Sequence, residues 1–113
     1  MESRLLYSAT DYLKSSIHWN KTANEEWIYF GVDKNIDSNL IHKIINEHFN
    51  EEDIFFVHER ENSELLDSQK NKKIMTSIVE KKNFFLWNRK LTKVIEFSNI
   101  GVLRFGQLDK LEA

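Results

Sequence analysis

The stretch "KNFFLWNRKLTKVIEFSNIG", Lys82 to Gly101, decides how the chain is read. Its two β-rich runs, "NFFLW" and "KVIEF", are joined by "NRKLT", a connection short enough for a hairpin. Side chains alternate across a strand, so Lys93, Ile95 and Phe97 share one side of the second run, and Val94 and Glu96 the other. Phe84, Phe85, Trp87 and Phe97 then belong to a hairpin core rather than to a binding platform. "SNIG" is a second turn, and "VLRF", Val102 to Phe105, is a short last strand closed by Gly106. The antiparallel meander this predicts is followed by a polar tail, "QLDKLEA".

Working outward, "DSNLIHKIINEHF" at 37–49 places Leu40, Ile41, Ile44, Ile45, His48 and Phe49 on one helical stripe, with Asp37 as its N-cap. Residues 3–17 show the same spacing through Leu5, Leu6, Ala9, Tyr12, Leu13 and Ile17, with Ser3 placed to cap them. "WIYFGV" at 27–32 and "DIFFVHE" at 53–59 read as strands buried on both faces. Gly31 inside the first suggests a bulge or a close backbone approach. Residues 63–82 read as one helix with a solvated middle, "DSQKNKK". The alternative is a helix that starts only near Asn71. "HWNKTANEE" reads as a polar connection. The order is α-β-α-β-α-β-β-β, an α+β single domain over 1–113 with about three helices. Its expected sheet is mixed, parallel in the first part through right-handed crossovers and closed by the C-terminal antiparallel meander.

At 113 residues the chain is long enough for one core, and its 41% hydrophobic and 30% charged content is ordinary for a globular protein. No run of 18 apolar residues is present, so no membrane contact is expected. The amino terminus lacks the apolar stretch of a signal peptide, and the cysteine count is zero, which together suit a cytoplasmic location. Zero cysteines also exclude disulfides, thiolate zinc sites and cysteine nucleophiles.

Chemistry-bearing patterns are sparse. His42 and His48 stand six apart, about 240° around a helix, so they cannot share a metal as an i, i+4 pair would. His58–Glu59 lacks the second histidine of a zinc-protease helix. No serine lies in a nucleophile elbow, and the three glycines are too scattered to cradle a phosphate. Neither enzyme activity nor a metal or other cofactor is expected.

Charge carries more information. Residues 1–69 hold 6 Lys/Arg against 14 Asp/Glu, and residues 70–113 hold 10 against 4. The acidic excess peaks between Glu47 and Asp67, with eight carboxylates and one arginine. Such a segment can dock a basic protein, since complementary potential speeds encounter and suppresses wrong partners. Glu47, Glu51, Glu52, Asp53, Glu59, Glu61 and Glu64 are the candidate contact residues. The basic last third offers a different use. Lys72, Lys73, Arg89 and Lys90 could hold the phosphates of a single-stranded nucleic acid while Phe85 or Trp87 stacks its bases. "KKNFFLWN" departs from the RNA-recognition pattern, which has small residues between its aromatics.

The closing segment "LWNRKLTKVIEFSNIGVLRFG" resembles the last strands of small bacterial immunity proteins that accompany polymorphic or contact-dependent growth-inhibition toxins. The resemblance covers about twenty residues and carries no functional residue across by position. It implies a protein inhibitor that binds a cognate, often nuclease-type, toxin and covers its active site or substrate groove. A basic toxin domain would be the partner.

Overall fold

The computed structural model describes residues 3–21, 25–50, 53–58, 63–66 and 70–108. Among the described residues three α-helices, α1 (Ser3–Leu13), α2 (Ser38–Phe49) and α3 (Lys70–Val79), accompany seven strands. The strands are β1 (Ile17–Trp19), β2 (Ile28–Tyr29), β3 (Ile54–Val57), β4 (Glu64–Leu66), β5 (Phe84–Asn88), β6 (Lys93–Ser98) and β7 (Val102–Leu108). They form one sheet in the order β1-β7-β6-β5-β3-β4, with β2 and β1 end to end on the outer edge of β7. The class is α+β, and the C-terminal meander β5-β6-β7 is present with Phe84 opposite Phe97 and Val94 opposite Gly106.

The sheet corrects the expectation of mixed pairing, because every described strand pair is antiparallel. The reason lies in strand order. Following the pairings, β2 and β3 run the same way, as do β4 and β5, so α2 and α3 do connect strands of equal direction. But β7, β6 and β5 lie between the first pair and β3 lies between the second. Directions alternate across both gaps, so each strand's immediate neighbours run opposite to it and no parallel neighbours remain.

Alternation divides the core into two layers. On one face Ile54, Phe56, Phe84, Leu86, Ile95, Phe97 and Leu103 pack with Ile41, Ile44, Ile45 and Phe49 of α2 and Ile74 and Ile78 of α3. On the other, Phe55, Val57, Trp87 and Val94 pack with Leu6 of α1 and Ile17 of β1. Cover on both sides explains why β3 is a continuous apolar run with all four residues buried.

Three of the four hairpin aromatics, Phe84, Trp87 and Phe97, are buried scaffold, while Phe85 is half-buried. Phe84 and Phe97 stack with ring centres 4.6 Å apart, and Phe56 lies 5.0 Å from Phe84. Trp87 is 0% exposed. The Asn88 carboxamide oxygen accepts the backbone N–H groups of Thr92 and Lys93 at 2.8 and 2.9 Å, which closes the turn without glycine or proline. In the next turn Gly101 adopts φ +90°, and a Cβ there would meet the Gly31 carbonyl.

Helix α2 matches its expected limits, and the Asp37 carboxylate caps it by accepting the Leu40 N–H at 3.1 Å. Elsewhere the boundaries move. Residues 63–82 are not one helix. Glu64–Leu66 pair with β3, and α3 starts at Lys70, because Leu66 fills the layer beneath α2 and α3 while Glu64 and Leu65 stay exposed at the sheet edge. The strand expected at 27–32 shortens to Ile28–Tyr29; Phe30 leaves it to pack edge-on against Phe97, and Gly31, at φ +104°, turns the chain away. Ile17–Trp19, read as the end of a helix and a connection, is an edge strand on β7.

Candidate functional site

The seven carboxylates proposed as a contact surface do not converge where they can be located. Glu51, Glu52, Glu59 and Glu61 lie outside the described residues. Glu47 is exposed on α2. Asp53 faces Arg89 of the β5–β6 turn at 3.7 Å, and Glu64 faces Lys73 of α3 at 3.9 Å. Folding thus brings basic residues of the last third beside acidic ones, partly cancelling the segregation seen along the chain. Exposed pairs of this kind contribute at most about 1 kcal/mol each. Their effect is on the surface field rather than on stability.

A different surface is built on the α1 side of the sheet. Register aligns Val57, Phe85, Glu96 and Arg104 in one cross-strand row over β3, β5, β6 and β7. Helix α1 covers the Val57 end of this row. At the other end Arg104 is held on four sides. Its guanidinium carbon lies 3.9 Å from the ring centre of Trp19 and 4.4 Å from that of Trp27. Its Nε donates to Glu96 Oε1 at 2.8 Å and its Nη1 to Glu26 Oε1 at 2.9 Å. A planar cation suits such a place, since it can stack on aromatic faces while its edge donates to carboxylates.

Gly106 makes the clamp possible. It pairs with Trp19 across the β1–β7 edge, and a Cβ there would fall on the His18 carbonyl. Without a side chain, β1 approaches β7 closely enough for Trp19 to reach the next residue on that face, Arg104.

Between α1 and the clamp lies a cavity of about 170 Å³. Val57 and Phe85 give it an apolar floor, and Tyr7, Asp11 and Lys14 of α1, His58 and Glu96 give it polar edges. Glu96 belongs to both cavity and clamp. Nearby aromatic groups remain open to solvent: Trp27 is 36% exposed, Tyr7 39% and Tyr29 63%. Tyr29 faces this side because its neighbour Ile28 packs into the opposite layer. The surface therefore combines exposed Trp and Tyr with a pre-set arginine and two partly exposed carboxylates.

The histidines are separate from it, except for His58, whose Nδ1–H donates to the Asn83 carbonyl at 2.9 Å. His48 Nε2–H donates to the Gly106 carbonyl at 2.9 Å between the rings of Phe49 and Phe105. Burial lowers its pKa from 6.5, the Lys93 charge adds to this, and the hydrogen bond opposes it. Among the described residues no group of three His, Cys, Asp or Glu is placed to hold a metal ion. No helix among them is long and apolar enough to cross a membrane.

Sequence reasoning missed this site because Trp19 sat in a supposed connection and Arg104 was counted only as one more basic residue. The alternation in "VLRF" did contain a signal. It places Arg104 opposite Leu103 and Phe105, on the face shared with Glu96. Comparison of the chain with protein-family models, with curated proteins and with solved structures finds no match.

Proposed function

We propose that this chain is a protein-binding inhibitor that docks a basic partner through the open face of its sheet, in the manner of an immunity protein neutralising a nuclease-type toxin. The observation that carries the binding reading is the placing of exposed Trp27 and Tyr29 beside Arg104, with exposed Tyr7 across the cavity that Glu96 shares with the clamp. Trp, Tyr and Arg are the residues that dominate binding energy at protein interfaces, and a ring already held in place, as Trp27 is against Arg104, loses little freedom on association. The toxin-neutralising part of the reading rests on the resemblance of the closing strands and on the acidic segment from Glu47 to Asp67. That segment would steer a basic partner, while the aromatic face would anchor it. The nucleic-acid reading loses one of its two stacking rings, since Trp87 is fully buried.

The test begins with tagged full-length chain as bait in an extract of its own host, followed by purification of the retained protein. A Trp27→Ala/Tyr29→Ala double variant should weaken binding about 30-fold or more, mostly through faster dissociation. Reversal of Glu47, Glu51 and Glu52 to lysine should mainly slow association and flatten its salt dependence. Equal binding by a folded double variant overturns the proposed face. Retention of nucleic acid in place of protein overturns the inhibitor reading, and replacement of Lys72, Lys73, Arg89 and Lys90 would then be the next step.

A further inference from the structure

Resting on the proposal of a basic partner, we propose that the cavity between α1 and the sheet is a receptor for one cationic side chain of that partner, an arginine or a lysine, and that Lys14 occupies its mouth until the partner arrives.

The size suits a single side chain. About 170 Å³ is comparable to a cavity of roughly 150 Å³ that takes up one benzene-sized group. Val57 and Phe85 can cover the methylene stem, and the rings of Phe85 and Tyr7 offer faces that attract a cation.

Charge selects the occupant. Among the Asp, Glu, Lys and Arg side chains that line the cavity, Asp11 and Glu96 stand against Lys14, a net charge of −1, and the Arg104–Glu26 pair beyond Glu96 adds none. Arg104 engages Oε1 of Glu96 and Oε1 of Glu26, and neither Oε2 receives a hydrogen bond among the described residues. An anionic group entering the cavity would meet Glu96 and Asp11. A neutral apolar group would shield Glu96 from water and give it no donor in return. A guanidinium or ammonium satisfies the carboxylate and the rings together.

Lys14 is the resident cation. Its Nζ lies 3.0 Å from the Asp11 carboxylate at the cavity edge, on a side chain that is 55% exposed. Asp11 raises its pKa by hydrogen bond and charge, and the ammonium thus already engages one of the two carboxylates that an incoming side chain would use. Because the pair is exposed, displacing it costs little. Removing Lys14 should therefore improve cation binding, the reverse of what a lysine that itself contacts the partner would show.

The experiment uses N-acetyl-arginine methylamide as probe, titrated into the isotope-labelled full chain and followed by amide chemical shifts. The expected result is saturable shifts at Tyr7, Asp11, Phe85 and Glu96, absent with the capped norleucine and capped glutamate controls. Lys14→Ala should tighten the probe roughly two- to five-fold, and Asp11→Asn should weaken it by a similar factor. Both positions are exposed, so both variants should fold. Equal binding of the norleucine control, shifts elsewhere only, or weaker binding by Lys14→Ala overturns the proposal. A probe that binds here while the host extract yields no protein partner would leave the cavity assigned and remove the inhibitor reading.

Discussion

The indole Nε1–H of Trp87 donates to Thr10 Oγ1 at 3.0 Å, joining α1 to the sheet across 77 positions of sequence. Thr10 in turn donates to the Leu6 carbonyl one turn earlier. This is the buried polar link that holds α1 over Trp87, and so sets one wall of the cavity.

Thr10→Val keeps the shape of the side chain but leaves the buried indole N–H without an acceptor. It should destabilise the fold by about 1–3 kcal/mol. Adding Trp87→Phe removes the stranded donor, so the double variant should lose less than the sum of the two single losses. Urea denaturation of the four proteins measures both.

Arg104→Met should cost about 1.5–3 kcal/mol, since Glu96 and Glu26 each lose a charge-assisted donor and two tryptophans lose the guanidinium that lies against them. Arg104→Lys should restore only part of this, because an ammonium cannot stack between Trp19 and Trp27 while donating to both carboxylates. Tryptophan emission should shift to the red in both variants. An unchanged spectrum would show that the clamp does not shield Trp19 and Trp27.

The lowered pKa of His48 ties stability to pH. The unfolded chain takes up its proton near pH 6.5, and the folded chain only at lower pH. The His48 contribution is therefore complete well above pH 6.5. It is lost progressively as pH falls from 6.5 to the folded value, below which it changes no further. His48→Gln can still donate to the Gly106 carbonyl but does not titrate. The stability difference between wild type and variant should thus shrink or reverse between pH 7.5 and 5.5, as read by chemical denaturation at each pH.

Helix α3 ends in a Schellman arrangement, with Lys82 N–H bonded to the Ser77 carbonyl and Lys81 N–H to that of Ile78. Lys81 adopts φ +57° there, a conformation that glycine adopts without steric cost. Lys81→Gly should stabilise the protein by about 0.4–1 kcal/mol, even though its exposed contact with Asp33 at 3.4 Å is lost. A lower denaturation midpoint would mean that the ion pair outweighs the backbone strain.

Much of the fold was legible because hydrophobic periodicity is a local record. The stripe from Leu40 to Phe49 and the Asp37 cap marked α2, and the alternation through Phe84–Trp87 and Lys93–Phe97 marked the hairpin and sorted its residues between two faces. Segments of three residues, little more than one strand period, carried too little record. Ile17–Trp19 and Glu64–Leu66 are strands because β7 and β3 present open edges to them.

The candidate site was least legible, and for the same reason. Sequence by itself determined that Glu96 and Arg104 lie on the sheet face away from Ile95, Phe97, Leu103 and Phe105, since each strand reports its own alternation. It also determined that no thiol chemistry is present. Only the tertiary structure decided that Glu96 and Arg104 are cross-strand neighbours, that Trp19 and Trp27 enclose the guanidinium, and that Glu26, 78 positions away, completes the clamp. Strand order and register follow from burying both layers at once, and that requirement belongs to the whole chain rather than to any stretch of it.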